Sequence, residues 1–211
     1  SENEKIISTT TDAAIVCQND HNLKRTIFLS SSMVFESSDR FPTKEEDLME
    51  IPPPISSYGF QKLAVEYFAK AANLQYGLEY SIARPFNCVG IGEVKASSSD
   101  ENSKKLTLSH VVPDLILKTL KAEDSIEILG SGNQIRHYTY GEDLAKGIVT
   151  LLDHPGAKND DFNLSTSEST SVIELAEMIW RKIKPNKDFV YTTTDPYEYD
   201  VQKRIPSTNK A

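Results

Sequence analysis

The chain has 211 residues, 38% hydrophobic and 26% charged, the composition of a globular protein with its own core and not of a disordered one. Its 23 Lys and Arg against 31 Asp and Glu leave a net charge of −8, a poor match to nucleic acid or an anionic membrane surface, so neither is expected as a partner. Two cysteines, Cys17 and Cys88, exclude a disulfide scaffold and a four-cysteine zinc site; with no basic-then-apolar leader and no apolar run of about eighteen residues, a cytoplasmic location is expected.

Helical and strand patterns alternate along the chain. Residues 3–19 read as a helix, free of Pro and Gly. Residues 25–30 (RTIFLS) are a short run of strand formers. Residues 37–57 contain Pro42, Pro52, Pro53 and Pro54 and read as loop. Ser56 and Ser57 can cap a helix to about Tyr76, which Gly77 ends. Its Val65, Phe68, Ala69 and Ala72 fall at i, i+3, i+4 and i+7, which predicts one buried stripe. A strand follows at 78–83, and 93–107 reads as a mobile surface loop. A helix is expected at 111–121, a strand at 126–129, a turn at 130–133 and a brief pairing at 137–140. Residues 142–153 read as a helix stopping before Pro155, and 162–164 as a strand. The sequon Asn163-Leu164-Ser165 falls in that strand and reads as a chance match. Ser171 to Glu174 is a capping box opening a helix to about Ile183, and 189–191 reads as a last strand.

This alternation predicts an α/β fold, a partial doubly wound, Rossmann-like parallel sheet with a small α/β substrate-binding region. The expected boundaries are 1–92 for the first part and 93–211 for the second, with 137–153 returning to the first. A doubly wound domain ordinarily opens with a strand, so a helix at the start reads as a chain that begins mid-fold.

Three pieces carry chemistry. Ser30-Ser31-Ser32-Met33-Val34-Phe35 follows the first strand, where open α/β sheets place their ligands. Tyr58-Gly59-Phe60-Gln61-Lys62 sets a phenol and an ammonium four apart, on one helix face. An ammonium beside a phenol favours the phenolate, which suits a base that takes a proton from an alcohol. The same spacing recurs at Tyr199 and Lys203, in the irregular tail, and reads there as accidental. Arg84-Pro85-Phe86-Asn87-Cys88-Val89-Gly90 leaves the second strand as a shaped loop with an amide to offer.

Together these pieces resemble the extended short-chain dehydrogenase/reductase superfamily, the nucleotide-sugar epimerases and dehydratases. The resemblance continues through His110 to Ile116, Glu127 to Arg136, Tyr138 to Asp143, Phe162 to Ser165 and Asp200 to Pro206. It implies NAD as cofactor, with NADP left open, and a nucleotide-diphosphate sugar as substrate. Ser31, Tyr58 and Lys62 correspond to the catalytic set. Ser30, Tyr58, Lys62 and Pro85 correspond to cofactor contacts. Ser32, Met33, Asn87, Val112, Arg136 and Arg204 correspond to substrate contacts, the arginines as grips on the diphosphate. Such enzymes dimerise through two helices per subunit, which implies a homodimer through 3–19 and 57–76. His21, His110, His137 and His154 show no metal-ligand spacing, and no metal is expected.

The sequence departs from the pattern twice. The family binds the cofactor's pyrophosphate with a Gly-x-x-Gly-x-x-Gly turn after its first strand. Residues 1–58 contain no glycine, so the chain is expected to be a fragment that binds NAD poorly by itself. Dehydratases of the superfamily carry Asp-Glu where Ser32 and Met33 stand, and 3,5-epimerases a Cys at Met33. That leaves oxidation and re-reduction at one carbon, 4-epimerisation, as the expected reaction. A related dehydratase or reductase, and a non-catalytic paralogue that binds sugar nucleotide, stand as alternatives.

Overall fold

A computed structural model describes residues 2–91, 93, 110–196 and 201–211. In chain order the elements are α1 (Glu2–His21), β1 (Thr26–Leu29), α2 (Ser57–Tyr76), β2 (Tyr80–Pro85), β3 (Cys88–Val89), α3 (Val111–Lys121), β4 (Ile126–Leu129), β5 (Ile135–Arg136), β6 (Thr139–Tyr140), α4 (Gly141–Asp153), β7 (Asp160–Leu164), β8 (Thr170–Ser171), α5 (Val172–Ile183) and β9 (Tyr191–Thr194). Short 3-10 turns lie at Ser32–Phe35, Glu45–Met49 and Pro155–Ala157. The chain divides into two units, 1–88 with 137–168 and 204–211, and 89–136 with 169–203.

In the first unit β1, β2 and β7 form a parallel sheet in the order β1-β2-β7. Thr26 to Leu29 pair with Tyr80 to Ala83, and Ser81 to Pro85 with Asp160 to Leu164. Side chains alternate across a strand, so each face takes its own core. Phe28, Tyr80 and Ile82 pack with Ala14 of α1 and with Val65, Ala69 and Ala72 of α2. Ala83, Phe162 and Leu164 pack with Leu144 and Leu151 of α4, and Ile27 joins them. Helices thus cover both faces of a parallel sheet, which is the doubly wound arrangement the alternation predicts.

The second unit has its own core. β4 pairs with β9 in parallel, β5 with β8 antiparallel, and α3 packs on α5. Leu115, Ile126, Ile128, Ala176 and Trp180 form its buried centre. The Trp180 indole N–H donates to the Lys187 carbonyl at 3.1 Å. Gly132 sits at φ +75°, and a Cβ there would lie 2.5 Å from Ile173 Cγ1, so the 130–133 turn needs glycine.

Several elements differ from the sequence expectation. The second strand begins at Tyr80 and not at Leu78, because the α2 ending uses Gly77 and Leu78, whose N–H groups return to Asn73 and Ala72. The last strand is Tyr191–Thr194, since Phe189 packs its ring on Trp180 instead. Inside the 37–57 loop the Glu45–Met49 turn is anchored by Glu45, whose carboxylate accepts the Asn163 N–H at 2.8 Å. Asn163 is fully buried in β7, out of reach of glycosylation in the folded chain. The first unit takes more than 137–153, because β7 pairs with β2 and the Ser207 N–H donates to the Thr43 carbonyl. Residues 94–107 of the expected surface loop, and Tyr199, lie outside the described residues. Among the described residues no helix is long and apolar enough to cross a membrane.

Because Trp180 fills the second core, Trp180→Ala is expected to cost about 3–5 kcal/mol. Denaturant unfolding followed by circular dichroism, with wild type as reference, measures it.

Candidate active site

The carboxyl end of β1 is built from three directions. Ser31 is extended and caps the Ser32–Phe35 turn, its Oγ accepting the Met33 N–H at 3.2 Å. Ser56 caps α2, its Oγ accepting the Gly59 N–H at 3.0 Å. The Glu36 carboxylate in turn accepts the Ser56 N–H and hydroxyl, placing a negative charge at the helix's positive end. Gly59 lies against the turn, where a Cβ would stand 2.8 Å from the Met33 carbonyl oxygen and 2.7 Å from Pro54 Cβ. Only glycine lets α2 start this close, and its neighbour Tyr58 is held at that start.

Tyr58 and Lys62 come together as their spacing predicts. The Lys62 ammonium lies 5.9 Å from the Tyr58 ring centroid and donates to the Leu29 carbonyl, the last of β1, at 2.9 Å. Tyr58 is 49% exposed. The two residues line a cavity of about 250 Å³ together with Ile6, Ile7, Gln61 and Val65.

Beneath them lies a buried ion cluster. Arg84 and Glu66 are both fully buried. Arg84 Nε and Nη2 donate to the two Glu66 oxygens at 2.8 and 2.7 Å, and Arg84 Nη1 meets Asp161 Oδ2 at 2.5 Å. The Arg84 guanidinium also lies 5.2 Å from the Phe35 ring centroid, and Phe35 stacks on Phe86. Burial works against the Arg84 charge, but its carboxylate partners outweigh that, and its pKa ends above the ordinary guanidinium value.

Ser30 is buried, and its hydroxyl donates to Glu66 Oε1 at 2.5 Å. Ser32 is buried and Met33 half-buried in the same turn. Pro85 ends β2. Asn87 adopts φ +39°, and its amide donates to the His137 carbonyl at 3.2 Å, so it ties its loop to the chain entering β6. Arg204 is half-buried in the first unit. Val112 and Arg136 belong to the second unit, Val112 in the first turn of α3. Arg136 Nη1 donates to the Ile135 carbonyl at 2.9 Å and the Gln202 carbonyl at 3.4 Å. Among the described residues no group of three His, Cys, Asp or Glu could hold a metal ion.

Residues 5–165 match the NAD dependent epimerase/dehydratase family. The chain belongs to that family. It is 31% identical over 180 residues to a GDP-L-fucose synthase of Sinorhizobium fredii, covering 82% of this chain and 54% of the relative. Among solved structures it is similar to a UDP-glucose 4-epimerase of Thermotoga maritima with UDP-glucose, at TM-score 0.74 and 28% identity over 95% of this chain and 60% of that one. A UDP-N-acetylglucosamine 4-epimerase of Methanobrevibacter ruminantium, in complex with UDP-N-acetylmuramic acid, gives TM-score 0.76 and 28% identity over 94% and 60%. The epimerase/dehydratase chain described here therefore spans about half the length of the curated relatives it matches.

Sequence reasoning missed Glu36, Glu66 and the inward role of Arg84. The signal for Glu66 was its spacing, one turn beyond Lys62 on the same helix face. In this epimerase/dehydratase chain Gly59→Ala is expected to cost about 1–3 kcal/mol, because the Met33 carbonyl and the Pro54 ring must move. Thermal unfolding measures the cost, and amide chemical shifts of 30–36 and 56–62 report the displacement.

Proposed function

We propose that this chain is the catalytic and substrate side of a nucleotide-sugar 4-epimerase. The observation that carries the reading is the Lys62 ammonium, held by the β1 end and near the Tyr58 ring, both residues lining one cavity. Tyr58 takes the proton of the sugar hydroxyl as hydride leaves the carbon, and gives it back to the same oxygen when hydride returns to the opposite face of that carbon. Lys62 holds its ammonium beside the ring that does so. Ser31 bonds the same sugar oxygen, and Ser32 and Met33 lie along the sugar.

The residues suit the nicotinamide and ribose end of NAD or NADP, with Tyr58, Lys62 and Pro85 as its contacts. The bound nicotinamide supplies the hydride acceptor. The pyrophosphate cradle of the family is not found in these 211 residues, so the activity is proposed for a protein that joins them to such a segment. By resemblance, Asn87, Arg136 and Arg204 hold the diphosphate and Val112 lies at the base. UDP-sugar 4-epimerases among the similar structures support this reading. The GDP-L-fucose synthase relative favours a second one, a reductase of a keto sugar on GDP. A homodimer through α1 and α2 is part of the proposal. It is supported by Ile6 and Val16 on α1 and by Tyr67, Phe68 and Leu74 on α2, all exposed.

The test offers UDP- and GDP-hexoses with NAD⁺ or NADP⁺ to the chain, alone and mixed with the glycine-loop half of a related epimerase. Sugars inverted only at C4 are expected, with Tyr58→Phe lowering kcat by about 10²- to 10⁴-fold. An accumulating keto or deoxy sugar sinks 4-epimerisation in favour of a dehydratase, and turnover only when a GDP-keto sugar and reduced nicotinamide are supplied instead sinks it in favour of the second reading.

A further inference from the structure

The buried cluster under Tyr58 and Lys62 also reaches the strand segment that carries the Lys62 acceptor. Arg84 holds Glu66 to β2 by two hydrogen bonds, and Asp161 completes the charge. Glu66 Oε1 nevertheless accepts a further bond, from the Ser30 hydroxyl on the neighbouring strand segment. Ser30 directly follows Leu29, whose carbonyl accepts the Lys62 ammonium.

The Leu29–Ser30 peptide is therefore held at three points. Its N–H, from Ser30, donates to the Ala83 carbonyl on β2 at 2.8 Å. A planar trans peptide directs its carbonyl the other way, away from β2, and Lys62 takes it there. The Ser30 side chain then ties this peptide to α2 through Glu66. Lys62 lies one turn before Glu66 on the same helix, so the Ser30–Glu66 bond sets how far the Lys62 backbone stands from its acceptor. A lysine has a flexible four-carbon stem, and its ammonium is fixed beside the ring only while that distance is held.

We propose that Glu66 is a positioning residue for Lys62, acting through Ser30: it holds α2 where the ammonium reaches both the Leu29 carbonyl and the Tyr58 ring. The inference rests on the reading of Tyr58 and Lys62 as the proton-handling pair, and it gives Ser30 a role in place of cofactor contact.

The test is nuclear magnetic resonance on this chain with labelled lysine, in Ser30→Ala, Ser30→Cys and Ser30→Thr. The readouts are the hydrogen-bonded ammonium signal of Lys62 and the ring-current displacement of its ε-methylene by Tyr58. Ser30→Ala is expected to lose both, while the Arg84 Nε–H signal stays in its bonded position. Ser30→Cys, close in size with a weak donor, is expected to do the same and carries the test if the alanine variant does not fold. Ser30→Thr, which keeps the hydroxyl, is expected to restore both. Lys62 signals unchanged in both the alanine and cysteine variants overturn the proposal and leave the cluster a purely structural one. These signals report geometry alone. If Lys62→Met leaves turnover unaffected in the mixed assay, the catalytic reading fails separately.

Discussion

The Glu66–Arg84 ion pair is the constraint on which the first unit's candidate site depends. Taking a carboxylate and a guanidinium fully out of water costs several kcal/mol per ion, and only close geometry with further hydrogen bonds recovers it. Here the fork is two-bonded, Asp161 adds charge to the arginine, Ser30 adds a hydrogen bond to the glutamate, and the Phe35 ring covers the guanidinium. Each partner belongs to a different chemistry-bearing piece. Glu66 is on the Tyr58–Lys62 helix, Ser30 opens the serine cluster, and Arg84 opens the loop holding Pro85 and Asn87. One buried cluster thus sets the register of three segments that are far apart in the chain.

Above the cluster, one close backbone approach and two side-chain contacts finish the arrangement. Gly59 lets the first turn of α2 meet the Met33 carbonyl, and Glu36 caps the same turn. Phe35 stacked on Phe86 joins the serine turn to the loop after β2. The polar groups that remain exposed at the β1 end, Tyr58 foremost, rest on a base of buried, ion-paired side chains. Such a base suits a site that must hold a phenol and an ammonium in fixed relation while substrate comes and goes.

Features governed by local chemistry were legible in the sequence. The Ser171–Glu174 capping box opens α5, Gly77 ends α2 in the left-handed conformation, and Tyr58 and Lys62 share a helix face, all as read from spacing. The alternation of elements gave the sheet's parallel, two-sided character. What escaped was set by tertiary partners. Phe68 fits the apolar stripe of α2 yet is 42% exposed, while charged Glu66 is buried, because its partners on β2 and after β1 are invisible to helix periodicity. The Ser30–Glu66 bond was hidden for the same reason. A serine at a strand end is equally suited to a ligand or a buried carboxylate, and only the fold shows which it meets. The return of 154–168 and 204–211 to the first unit depended on pairings across more than a hundred residues, such as Asn163 with Glu45.

The most direct test of the cluster as the organising interaction is a double-mutant cycle between Glu66→Leu and Arg84→Met, read by denaturant unfolding. Glu66→Leu leaves the buried Arg84 with Asp161 alone and Arg84→Met leaves the buried Glu66 with the Ser30 hydroxyl alone, whereas in the double variant an apolar contact replaces the pair. The account predicts singles costing about 3–5 kcal/mol each and a double far milder than their sum, a coupling of roughly 3 kcal/mol or more. Costs that add to within about 0.5 kcal/mol would contradict it, since the two residues would then be supporting the fold independently.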